Sequence, residues 1–198
     1  MDASVHRAAE YAGLALAPAD MAGLGRLEDW LREEAIPAGA MGPEEGSRLG
    51  SRHVADSLVM ARGWSAWPPG RAADLGSGAG LPGLPLAIAL SEWEVLLVER
   101  SARRCQLLRR GVRVLGISNA EVVEGDFKRV RRSVEVVVSR AVAPTAALAP
   151  VARSWLQPKG IAVFAVAAAV NPGPGMEAID VPVGILDRTA RLLIMRKE

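Results

Sequence analysis

The chain predicts a doubly wound α/β domain, its sheet mostly parallel, preceded by an N-terminal helical extension. From Pro68 onward, short runs of Val, Leu and Ile alternate with helix-length segments, the pattern of parallel strands covered on both faces. A glycine-rich turn, ADLGSGAGLPG (73–83), joins the first of these runs to the first helix behind it. Upstream of Pro68, apolar residues recur only at helical spacing. The extension is therefore assigned to residues 1–67 and the α/β domain to 68–198, the two packed as one globular unit.

Ser4 is expected to cap a first helix that runs to Leu16, and Asp20 a second, after Pro18, with Leu24, Leu27, Trp30 and Leu31 on its apolar face. The Gly-, Pro- and Ala-rich stretch 35–50 reads as a loop or a frayed short helix. A third helix covers Ser51 to Arg62, burying Val54, Leu58 and Ala61 and leaving Arg52, His53 and Asp56 on other faces. Strands follow at 72–76, 94–99, 120–125, 134–140 and 160–166, with helices at 85–90, 101–116 and 145–156. Gly116 suits the residue just past a helix C-terminus. Runs at 179–184 and 190–196 are close enough for an antiparallel pair. A ligand belongs beyond the carboxyl ends of the strands.

Composition narrows the function. Of 24 cations against 22 anions, 21 are Arg and three are Lys (Lys128, Lys159, Lys197). Arginine suits bidentate phosphate and base-edge contacts, although a GC-rich genome produces the same bias. A single cysteine, Cys105, excludes an internal disulfide framework, and two histidines, His6 and His53, are too few for a Cys/His zinc cluster, so no metal is expected. Cys105 falls on one helix face with Leu108 and Val112 and reads as core. The longest apolar run, IAVFAVAAAV (161–170), is half the length that spans a bilayer, and MDASVHRAAE lacks the apolar stretch of a secretory signal. No membrane association is expected, and a cytoplasmic location is.

The turn places Gly76, Gly78, Gly80 and Gly83 within eight residues, where main-chain N–H groups can meet a ligand at close range. Residues 78–83 satisfy the G-x-G-x-x-G pattern of dinucleotide binders, so a nicotinamide cofactor is one reading. Glu99, ending the second strand, suits a ribose diol in that cofactor or in S-adenosyl-L-methionine. Three features favour the latter. Asp74 stands two residues before the first glycine, where an anion attracts a sulfonium and repels a pyrophosphate. Asp126, in EGDF, is placed to reach an adenine amino group. The only tyrosine, Tyr11, lies in the extension, and no Tyr-x-x-x-Lys pair exists for hydride chemistry.

Together with the glycine loop, RHVADS (52–57) and SRAVAP (139–144) resemble the ribosomal RNA small subunit methyltransferase G family, also called glucose-inhibited division protein B. Further matching pieces are Arg52, His53, Asp56 and Ser57 on their helix, the L-P-G ending of the loop, the basic helix ARRCQLLRRGVRVLG, and Ser139-Arg140-Ala141. The resemblance implies a class I S-adenosyl-L-methionine-dependent methyltransferase fold, Rossmann-like. It implies methylation of guanine N7 in small-subunit (16S) ribosomal RNA. A partly assembled subunit is the expected partner and a monomer the expected state. On this resemblance Gly76 and Leu81 line the cofactor, with Asp74, Gly78 and Gly80 completing the loop. Glu99 holds the ribose, Asp126, Phe127 and Lys128 flank the adenine, and Arg140 faces the reaction zone beside cofactor and base. Arg140 and His53 form the catalytic set.

Departures stand beside the matches. Leu31 follows Trp30 where the family has Asn, Ala35, Ile36 and Pro37 replace Asn-Leu-Thr, and Ala167 and Ala168 replace Lys-Gly. A Pro/Gly stretch, VNPGPG (170–175), stands in for a helix before the sixth strand. These leave a second reading, a non-catalytic relative that keeps the fold as a binding module. Taken by themselves, Arg140 could be a plain strand-end cation, and His53 a packed histidine bonded to the backbone. Lys128, Arg129, Arg131 and Arg132 are the better RNA-binding cluster. Arg100, Arg103, Arg104, Arg109, Arg110 and Arg113 read as a solvated helix face. Trp64, Trp67 and Phe127 are the aromatics available for base stacking.

Overall fold

Seven strands form one sheet in the computed structural model, which describes residues 3–140 and 142–198. Asp2, in the N-terminal segment read as no signal, and Ala141, in the Ser-Arg-Ala match, lie outside the described residues. The strands are β1 (Arg71–Leu75), β2 (Glu94–Glu99), β3 (Ala120–Glu124), β4 (Val134–Arg140), β5 (Leu156–Ala167), β6 (Met176–Val181) and β7 (Ala190–Arg196). Their order is β3-β2-β1-β4-β5-β7-β6; the first five are parallel, and β7 pairs antiparallel with both β5 and β6. The doubly wound, mostly parallel sheet and the antiparallel tail pair are thus as expected, and β5 begins four residues earlier than the Val-rich run suggested.

Burial on both faces explains the apolar runs. Val136 and Val138 of β4, Ile161 and Val163 of β5, and Leu192 and Ile194 of β7 pack on one side. Val137, Ala162, Phe164, Leu193 and Met195, the residues between them, pack on the other with Leu148, Ala152 and Trp155 of α6 (Thr145–Trp155). The first face is covered by helices of the extension, α1 (Ala3–Ala12) and α3 (Ala55–Leu58), through Val5, Ala8 and Leu58. Alongside them, α2 (Pro18–Trp30) packs Leu27 and Trp30 against Val95 and Leu97 of β2 and Leu108 of α5 (Ala102–Leu115). Cys105 is fully buried on that helix, as expected of a core residue.

The helix starts differ from those read in the sequence. Ser4 is buried inside α1, one residue past its first, rather than standing before the helix. Asp20 is the third residue of α2, not its cap: Pro18 opens the helix, and Asp20 Oδ2 reaches back to accept the Ala17 N–H at 2.8 Å. Residues 49–61 form one helical rod of changing pitch, wide at Leu49–Val54, α-helical through α3 and tight at Val59–Ala61. Val54, Leu58 and Ala61 are buried as expected, but so is Asp56, which packs inward instead of standing on a polar face. Trp64 is buried edge-on to Trp93, its ring N–H bonded to the Met60 carbonyl, so it is core and not a base-stacking platform.

Candidate functional site

Strand order reverses between β1 and β4, which opens a crevice above their carboxyl ends. A cavity of about 1130 Å³ fills it. That is larger than the roughly 300–1,000 Å³ common for one small-molecule site, leaving room for a second group. Gly76, Gly78, Leu81 and Glu99 line it, as do Asp126, Phe127 and Lys128. His53 and Arg140 line the same cavity. Nine of the eleven residues singled out in the sequence therefore meet at one place.

Asp74 and Gly80 do not. Asp74 is fully buried beneath the loop, where its Oδ2 accepts from Ser77 Oγ at 2.7 Å and from the Gly83 N–H at 2.9 Å. It organises the loop and makes no contact with the cavity. Gly83 opens α4 (Gly83–Ala89), so the chain's own carboxylate takes a donor that a pyrophosphate would use in a dinucleotide-binding turn. Burial pushes the Asp74 carboxyl up to about 6, opposed by its two hydrogen bonds, so it is mostly ionised at pH 7 and takes up a proton as the pH falls through 6. Gly80 is a packing residue: at φ +90°, a Cβ there would lie 2.3 Å from Leu84 Cδ1. Gly80→Ala is expected to cost about 1–3 kcal/mol in urea unfolding, from left-handed backbone strain and overpacking.

At the end of β2, Glu99 accepts from the Gly78 N–H through Oε2 at 3.1 Å and from the Ser101 N–H through Oε1 at 2.9 Å. Its side chain is only 6% exposed, so the carboxylate is held in one orientation at the cavity wall with lone pairs left for a ligand diol. In the turn after β3, Asp126 Oδ1 accepts from the Lys128 N–H at 2.9 Å. Phe127 packs partly on the core beneath, and its carbonyl accepts from the Trp155 ring N–H at 2.9 Å. Acceptors suited to a ribose and an exocyclic amine thus stand with an aromatic ring along one wall.

A charged network lines the rest. Arg140 donates to His53 Nδ1 at 3.3 Å and lies 3.7 Å from Asp56 Oδ2, so it is more than a loose strand-end cation. Because a guanidinium only donates, Nδ1 accepts and the His53 proton sits on Nε2, 2.8 Å from Glu45 Oε2. Burial lowers the His53 pKa, Glu45 opposes this, and the charge of Arg140 lowers it further, so the ring is neutral at pH 7. His53 bonds two side chains, not the backbone carbonyl anticipated for a merely packed ring. Asp56 also accepts from Arg188 at 2.5 Å. Glu45 and Arg188 were not singled out in the sequence: Glu45 sits in the stretch read as a loop or a frayed short helix, which forms a short 3₁₀ helix at Pro43–Arg48, and Arg188 lies in the β6–β7 connection without a local motif.

Among the described residues, no group of three or more His, Cys, Asp or Glu side chains could hold a metal ion, and no helix is long and apolar enough to cross a membrane.

Comparison with known proteins gives the fold and site a family. A mutant of MtNAS crystallised in complex with S-adenosylmethionine superposes with a TM-score of 0.59 at 17% identity, over 90% of this chain and 72% of that one, a likeness of fold. Ribosomal RNA small subunit methyltransferase G of Acidothermus cellulolyticus is 38% identical over 137 residues, 69% of this chain and 60% of the relative. Its counterpart in Mycobacterium leprae is 42% identical over 140 residues, 68% of this chain and 56% of the relative. The chain thus spans little more than half the length of these relatives. The family model described as rRNA small subunit methyltransferase G matches residues 26–170, from α2 past the end of β5 and across every cavity-lining residue singled out in the sequence. By that match the chain belongs to the rRNA small subunit methyltransferase G family.

Proposed function

We propose that this chain methylates guanine N7 in small-subunit ribosomal RNA with S-adenosyl-L-methionine as donor, acting in the cytoplasm as a monomer on a partly assembled subunit. The observation behind this reading is that the fixed Glu99 carboxylate and the Arg140 guanidinium line one cavity large enough for a cofactor and a base. The residues present fit the cofactor. Glu99 accepts from its ribose hydroxyls, Asp126 from its adenine amine, and Phe127 packs on the ring, while Gly76, Gly78 and Leu81 form the backbone wall. When bound, S-adenosyl-L-methionine supplies an electrophilic methyl group on a sulfonium.

Guanine N7 carries its lone pair in the plane of the base and loses no proton when alkylated, so the site needs no general base. A neutral His53, committed to Arg140 and Glu45, agrees with that. The role of Arg140 is to donate to guanine O6 and so hold N7 in line, positioning that contributes a large share of such a rate. Lys128 at the cavity edge and the exposed Arg129, Arg131 and Arg132 meet RNA phosphates.

Ribosomal subunits from a strain lacking the native enzyme, incubated with this chain and the donor, test the reading. The expected product is N7-methylguanine at one position of the small-subunit RNA, and its absence refutes the assignment. Glu99→Ala is expected to weaken S-adenosylhomocysteine binding by about tenfold or more, since a charge-assisted acceptor is lost and two N–H groups are left unpaired. Calorimetry reads that change directly.

A further inference from the structure

We infer that Arg188 and Arg52 form a binding site for a phosphate of the target nucleotide, beside the base held by Arg140. This rests on the reading of the cavity as an RNA-guanine site.

The β6–β7 connection that bears Arg188 is tied to the helical extension at three points. Arg7 Nε donates to the Gly184 carbonyl at 2.7 Å, Ser51 Oγ to Asp187 Oδ2 at 3.3 Å, and Arg188 itself to Asp56 Oδ2 at 2.5 Å. A surface connection that only reversed the chain would need none of these. Their joint effect is to hold one guanidinium at the cavity wall, on the helical rod that also carries Arg52, so its orientation is fixed before any ligand arrives.

Charge then selects the ligand. Arg48, Arg52, Arg140 and Arg188 stand against Glu45, Asp56 and Asp187, four positive charges and three negative, with His53 neutral between them. Asp56 is buried and already shared by Arg188 and Arg140, and Glu45 by Arg48 and His53. The Arg188 side chain is about a third exposed, and its NH1 and NH2 groups, bonded once each to the Thr189 carbonyl and Asp56 Oδ2, each keep a second hydrogen to donate. Arg52 lines the cavity and, among the described residues, donates to no protein acceptor. Excess positive charge with unfilled planar donors matches a phosphate, whose oxygens accept from guanidinium forks.

The 198-residue chain, saturated with S-adenosylhomocysteine, is titrated calorimetrically with guanosine 5′-monophosphate and with guanosine. The monophosphate is expected to bind about tenfold or more tightly than the nucleoside. Arg188→Ala and Arg52→Ala are each expected to remove most of that preference without changing guanosine or S-adenosylhomocysteine affinity. Should Arg188→Ala fail to fold, Arg52→Ala, which breaks no hydrogen bond among the described residues, reports the same loss. A wild-type ratio near one overturns the proposal, as does a preference that survives both substitutions. A loss of S-adenosylhomocysteine affinity in either variant assigns the guanidiniums to the cofactor carboxylate instead and overturns it too. Methylation of ribosomal RNA is scored separately, so failure of the activity and failure of the phosphate site are told apart.

Discussion

Arg140→Ala is expected to slow methyl transfer by about 10²–10³-fold while S-adenosylhomocysteine affinity changes by less than about threefold. The asymmetry follows from the wiring. Arg140 reaches the cavity from the carboxyl end of β4, whereas the groups suited to the cofactor, Glu99 and the turn at Asp126, come from β2 and the connection after β3. Asp56 keeps Arg188 when Arg140 is removed, so the buried carboxylate is not stranded and the fold survives. Arg140→Lys is expected to rescue little: one ammonium cannot reach His53 Nδ1, Asp56 and a guanine oxygen together as a planar fork can. Single-turnover rates, read beside thermal unfolding, separate lost positioning from lost structure.

Asp74→Asn is expected to change stability in a way that depends on pH. The folded-state value, about 6, lies above the ordinary 3.8, so the native chain binds this proton more tightly than the unfolded chain does. The associated stability is present in full below about pH 4, falls as the pH rises towards 6, and is gone above that. An asparagine cannot titrate. The stability of the variant relative to wild type should therefore rise by about 2 kcal/mol between pH 4 and pH 7. Urea unfolding at a series of pH values measures this, and a flat difference shows that Asp74 is not desolvated as its burial requires. The same substitution should weaken S-adenosyl-L-methionine by about threefold relative to S-adenosylhomocysteine at pH 8, because only the former has a positive sulfur to feel a carboxylate beneath the loop.

The sheet was legible because burial on both faces leaves a simple trace: β2, β4 and β7 are built on short runs of Val, Leu, Ile and Met with charged residues at or near their ends, and their bounds lie close to those the sequence predicts. The glycine turn was legible for a similar reason, since positive φ at Gly76, Gly78 and Gly80 demands that residue type. Helix starts were not. Ser4 and Asp20 are good caps in isolation, but Pro18 and the packing of α1 on the core set the register, and one cap candidate became an internal residue and the other a third-position acceptor. The role of Asp74 was not legible because a carboxylate two residues before a glycine loop can face the ligand or the loop, and only the structure shows the Gly83 N–H taking it. Arg188 left no local signal: it lies 132 positions from Asp56, in a connection whose own sequence encodes only a chain reversal.

The most direct test of the cofactor reading is a calorimetric titration of the wild-type chain with S-adenosylhomocysteine and, separately, with NAD. Saturable uptake of one S-adenosylhomocysteine per chain, displaced by S-adenosyl-L-methionine and abolished or strongly weakened in Glu99→Ala, is the expected result. Binding of NAD in its place, or uptake indifferent to Glu99, contradicts it.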